Sequence, residues 1–78
     1  MSARVVVYSK PGCHLCEIAE SVVSQVCAEF AVGWEAIDIS TDETLMATYS
    51  EQIPVTFVDG RQHDYWRVSP DRLRAALS

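Results

Sequence analysis

The chain has 78 residues, room for a single folded domain over residues 1–78, and 49% of them are apolar, too many for a disordered chain. Six basic residues against eleven acidic ones give a net charge of −5, which argues against nucleic acid as the main partner, because binding phosphates requires a basic face. Three cysteines are an odd set and no apolar stretch approaches the roughly 20 residues of a membrane helix, so neither a disulfide scaffold nor a bilayer span is expected.

In chain order, Met1-Ser2-Ala3-Arg4 is followed by only three valines, too short an apolar run for a secretory signal. A reducing cytoplasm is therefore the expected compartment, and a monomer the expected state. Arg4 to Tyr8 is a β-branched run that reads as a short buried strand, broken by Pro11 and Gly12. A helix is predicted from about Cys13 to Ala31, with Leu15, Ile18, Ala19, Val22, Val23, Val26 and Phe30 recurring at helical spacing and Gly33 as its stop. Trp34 to Ile39 reads as a second strand, parallel to the first because a long helix separates them.

Ser40 with Glu43 has the form of a capping box, opening a shorter helix to about Tyr49 with Leu45, Met46 and Tyr49 on one face. Pro54 introduces a third strand, Val55 to Val58, and Asp59-Gly60 is a two-residue hairpin signal leading into a return strand from about Gln62 to Arg67. Ser69-Pro70-Asp71 combines an N-cap, a first-turn proline and an acid, opening a last helix to Leu77 with Leu73, Ala76 and Leu77 inward. The order β-α-β-α-β-β-α gives an α/β domain with a four-stranded mixed sheet.

The segment Ser9-Lys10-Pro11-Gly12-Cys13-His14-Leu15-Cys16 places two thiols where a strand hands over to a helix. Three residues apart on a helix, their Cα atoms lie about 5 Å from each other, within the reach of a disulfide. Such a pair can close and reopen without moving the backbone. At the helix start, free N–H groups and the dipole favour a thiolate, and Lys10 adds positive charge. These effects lower a cysteine pKa from about 8.5 toward roughly 3.5–7.5. Cys13 is the expected nucleophile and Cys16 the resolving thiol. The alternative for this pair is half of a zinc site, but no second pair with ligand spacing accompanies it among Cys27, His14 and His63, so no metal is expected.

Val7-Tyr8-Ser9-Lys10-Pro11-Gly12-Cys13-x-x-Cys16, then Ile53-Pro54-Val55 and Val58-Asp59-Gly60, resemble the glutaredoxin-like members of the thioredoxin superfamily in order and spacing. The resemblance implies the thioredoxin-like fold of glutaredoxin type. It also implies a cis peptide bond before Pro54, which faces the cysteine pair, with Ile53 offering backbone groups to an extended substrate. A Gly-Gly pair and an acid usually follow the fourth strand in glutathione-binding members; here the chain reads Tyr65-Trp66-Arg67-Val68-Ser69-Pro70. Lys10 is still available for a carboxylate, and His14-Leu15 replaces the Pro-Tyr or Pro-Phe common between the cysteines. The electron donor implied is glutathione, another low-molecular-weight thiol or a reductase, with no cofactor held permanently. The partner implied is a protein disulfide or a mixed disulfide.

Other residues carry two readings each. Cys27, eleven residues after Cys16, is either a buried apolar cysteine or a third redox-sensitive thiol. His14 either tunes the Cys13 thiolate or is solvated. His63 reads as a surface strand residue. Asp38, at the sheet edge that carries the cysteines, either accepts a proton from Cys16 or ends the strand. Trp66 and Arg67 could border a substrate groove. The leading functional reading is a thiol–disulfide oxidoreductase. The alternatives are a redox-inactive adaptor with the same fold, and a reductase of another kind, such as one for arsenate, for which Arg67 would be the arginine beside the reactive sulfur.

Overall fold

The computed structural model describes residues 3–78; Met1 and Ser2, part of the segment read against a secretory signal, lie outside the described residues. Seven elements follow in the expected order: β1 (Val5–Ser9), α1 (His14–Phe30), β2 (Trp34–Asp38), α2 (Glu43–Tyr49), β3 (Val55–Val58), β4 (Arg61–Tyr65) and α3 (Pro70–Leu77). The strands form one sheet in the order β2-β1-β3-β4. β1 runs parallel to β2, from Val5 opposite Trp34 to Ser9 opposite Asp38, and antiparallel to β3. β4 returns antiparallel to β3 with a bulge at Thr56/Phe57.

Strand alternation divides the interior. Val5 and Val7 of β1 pack with Val23, Val26 and Cys27 of α1 and with Leu73 and Leu77 of α3. On the opposite face Tyr8 meets Phe57 and Tyr49, with ring centroids 4.7 and 5.3 Å away, and α2 brings Leu45 and Met46 beside them. A second cluster of Cys16, Ile39, Ile53 and Val55 lies next to these rings.

Three boundaries differ from the sequence reading. α1 ends at Phe30, three residues before Gly33: Ala31 takes the left-handed conformation (φ 53°), its N–H donates to Ala28 O, and Val32 N–H donates to Cys27 O. That is a Schellman closure made without glycine. Gly33 lies beyond it, its carbonyl accepting from Arg4 N–H. The cap of α2 is Asp42 rather than Ser40, its carboxylate accepting from Leu45 N–H at 3.0 Å. Ser40 is taken up earlier, donating its own N–H to Asp38 Oδ1 at 2.8 Å, and the turn from Ile39 to Asp42 delays the helix. β4 stops at Tyr65, because Trp66 has φ 61°, which leaves extended geometry. The other two signals hold: Asp59 and Gly60 both have positive φ, as a primed hairpin turn requires, and Ser69 caps α3 by accepting from Arg72 N–H. Ile18, placed inward by periodicity, is 42% exposed.

Candidate active site

β1 delivers the chain to one edge of the sheet, and Gly12 (φ 75°) makes the turn back into α1. Only glycine takes that conformation without steric cost, so the turn is fixed by the residue type. Cys13 is the N-cap of α1, with extended backbone (φ −94°, ψ 109°). Its sulfur accepts the Cys16 N–H at 3.2 Å, the role a Ser or Asp oxygen usually plays in a cap. Cys13 and Cys16 are paired as a disulfide with Cα atoms 5.2 Å apart, and they differ in access: Cys16 is 1% exposed and Cys13 half-buried.

On the β2 side of the disulfide lies an open cleft of about 250 Å³. Lys10, Glu17, Glu20 and Asp38 supply its charges, and both cysteines line its floor. Hydrogen bonding to Ser40, from its side chain first and its backbone N–H second, holds the Asp38 carboxyl below the ordinary aspartate range. On the other side lies the loop before β3. Its Ile53–Pro54 peptide bond is cis, as the resemblance implies. Ile53 and Pro54 are buried, and Ile53 shares the cluster that holds Cys16, with Cys13 packed against it.

Three donated hydrogen bonds tie this loop to Trp66. The Trp66 backbone N–H reaches Pro54 O at 2.8 Å and Gln52 O at 3.2 Å, and its indole N–H reaches Glu51 O at 2.8 Å.

A family model described as glutaredoxin-like domain (DUF836) matches residues 4–78. The chain belongs to this glutaredoxin-like family. It is 28% identical over 80 residues to an uncharacterized protein of Mycobacterium tuberculosis, covering 96% of this chain and 82% of that protein. A protein from Nitrosomonas europaea solved by NMR superposes with a TM-score of 0.83 at 29% identity, covering 100% of this chain and 94% of the other. An X. campestris protein solved by X-ray gives 0.78 at 30% identity, covering 94% and 93%. The oxidized glutaredoxin 2 of Chlamydomonas reinhardtii superposes at 0.58 with 20% identity over 96% of this chain and 71% of that one, a likeness of fold alone. The α/β fold is thus thioredoxin-like, as expected from the sequence.

Within this glutaredoxin-like fold the singled-out residues fall into distinct places. Lys10 is exposed at the rim of the cleft. His14 is largely exposed, and its Nδ1 lies 3.7 Å from Glu17, the nearest ionic neighbour of its ring. Arg67 is exposed and is not among the residues lining the cleft. Asp38 lines the cleft as a stabilised anion, which makes it a weaker base than an ordinary aspartate and a poor acceptor for a thiol proton. Cys27 sits in the α1–α3 core, 1% exposed, where burial pushes its thiol pKa up.

His63 is not the surface residue its strand position suggests. It is half-buried, its Nε2 has no partner, and burial pushes its pKa down. Among the described residues no three His, Cys, Asp or Glu side chains gather as a metal site, and no helix is long and apolar enough to cross a membrane. The sequence reading passed over two features of the site. Glu17 and Glu20, whose spacing of three puts them on one face of α1, both line the cleft. The hold of Trp66 on the loop has no short sequence signature.

Proposed function

We propose that this glutaredoxin-like protein is a thiol–disulfide oxidoreductase that uses both cysteines. One observation carries the reading: Cys13 is the N-cap, and its sulfur already receives a helix N–H while the buried Cys16 stands one turn behind it. A sulfur so placed is stabilised as thiolate by the same N–H and by the dipole. In the reduced protein the Cys13 thiolate attacks one sulfur of a substrate disulfide. A Cys13–substrate bond forms, and the other substrate sulfur leaves as thiolate and is protonated by water. Cys16, deprotonated, then attacks Cys13 Sγ, restoring the intramolecular disulfide and releasing the second substrate thiol. Two electrons pass from the protein dithiol to the substrate. A small thiol such as glutathione, or a reductase, returns them.

In this reading Lys10 meets a carboxylate of the substrate or donor, His14 borders the entering sulfur, and the Ile53–Pro54 loop receives an extended chain. The Ile53 N–H is already donated to Tyr49 O at 3.1 Å, so the loop's remaining offer is the Ile53 carbonyl. The substrates are protein disulfides or mixed disulfides, and the working compartment is the cytoplasm. The test is NADPH-coupled reduction of a mixed disulfide, comparing glutathione plus its reductase with thioredoxin reductase. Turnover with either donor is expected; none with both would leave a redox-inactive adaptor as the better reading.

A further inference from the structure

We propose that Trp66 is a positioning residue that sets the Ile53–Pro54 loop for an extended substrate; the inference rests on the oxidoreductase reading above. Trp66 is 53% exposed, so the core draws little from its ring. Its backbone has φ 61°, a conformation that a bulky side chain adopts only when its surroundings impose it. In that conformation every hydrogen bond that Trp66 donates goes to one target. The backbone N–H serves Gln52 and Pro54, and the indole N–H serves Glu51, so both sides of Ile53 are held from a single residue. Among the described residues, the only other side-chain tie to the segment is the bond of Gln62 Nε2 to Gln52 Oε1 at 3.1 Å. Ile53 itself packs into the cluster of Cys16. Trp66 therefore fixes the height of the loop relative to the disulfide without touching the sulfurs.

Such a residue matters for a substrate that lies along the loop and not for one that presents only a disulfide. Two probes separate the cases: bis(2-hydroxyethyl) disulfide, and an unstructured peptide whose single cysteine is capped by 2-mercaptoethanol. Trp66→Phe removes the indole donor and keeps the ring. It is expected to lower kcat/KM for the capped peptide by about tenfold, the scale of one lost hydrogen bond, chiefly through KM. For the small disulfide the change is expected to stay within about twofold, because that substrate does not use the loop. In the same variant the Gln52 and Ile53 amides are expected to exchange faster with solvent while the Val7 amide is unchanged.

If Trp66→Phe does not fold, Cys16→Ser carries the test. Joined to the peptide through Cys13, it is expected to shift the Trp66 indole N–H resonance; joined to 2-mercaptoethanol, it is expected to leave it in place. Equal losses on both probes, an unchanged ratio, or an indole resonance indifferent to the peptide would overturn the proposal. If the wild-type protein fails to reduce even the small disulfide, the oxidoreductase reading falls first and takes this one with it.

Discussion

The two flanks of the disulfide are built by different means. Toward β2 the wall is made of charged side chains, Lys10, Glu17, Glu20 and Asp38, standing in an open cleft. Toward β3 it is made of backbone: a cis peptide bond, buried Ile53 and Pro54, and hydrogen bonds from Trp66 and to Tyr49. A wall of exposed charges can be edited with little effect on folding, and acts at a distance that salt can shorten. A wall of paired backbone groups in an apolar setting acts only on contact, and tolerates little displacement.

The sulfurs between the flanks give the largest effect. Cys13→Ser is expected to abolish disulfide reduction, a loss on the order of 10³-fold or more, while Cys16→Ser should still perform the first step and accumulate the mixed disulfide, seen by mass spectrometry. Iodoacetamide should label Cys13 of the reduced protein well before Cys16, which is 1% exposed. Faster labelling of Cys16 would reverse the assignment.

Neighbouring residues on the β2 side sharpen the contrast next. Ile39 is fully buried in the cluster of Cys16, whereas Asp38, one residue earlier, faces the cleft. Ile39→Ala is expected to destabilise by about 2–5 kcal/mol in urea titration, as a large-to-small core change does. Asp38→Asn should change much less, since the amide oxygen can still accept the Ser40 N–H and only the charge of an exposed group is lost.

The charges come third. Glu17→Gln with Glu20→Gln should raise the rate on anionic disulfides and lower it on cationic ones by roughly 2–5-fold, an effect that fades as salt approaches molar concentration. The corresponding ratio in Trp66→Phe should not depend on salt. Persistence of the charge effect in high salt would mean that the glutamates act by contact, erasing the distinction between the flanks.

Acidity gives the smallest effects. The folded pKa of Asp38 lies below its ordinary value of 3.8, so the stabilisation from its bond to Ser40 is complete above that value and lost as pH falls through the lower folded pKa. His63 is also depressed, from 6.5, but by burial of the ring. Its neutral form suits the folded state, so stability is full above 6.5 and declines as pH falls through the lower folded pKa. A small downward drift of Tm below neutrality is expected, and His63→Phe should flatten it.

Much of this was legible in the chain. Val5 and Val7 alternate as a buried strand must, Asp59-Gly60 makes its hairpin, and Ser69-Pro70 opens α3, because each signal is local and nothing nearby competes with it. Ser40 misled because two acids bracket it: Asp38 accepts its N–H, and Asp42, two residues on, is equally able to cap. Gly33 misled because the backbone bonds from Ala31 and Val32 close the helix at Ala31, in the left-handed conformation where glycine is the cheaper choice. At the site, the cysteine spacing was readable, since it is a property of one turn, whereas the proline's cis bond followed only from the family resemblance. The grip of Trp66 on Glu51, fifteen residues away, was not readable, because it exists only once β3 and β4 have paired.

Cys27 is walled into the half of the core that faces α3, apart from the cluster around Cys16, and burial keeps its proton on. The odd sulfur is therefore silent while the chain is folded. A thiol reagent should find Cys13 readily in the reduced native protein and Cys27 only after denaturation, which gives every sample an internal gauge of its own unfolding that is independent of turnover.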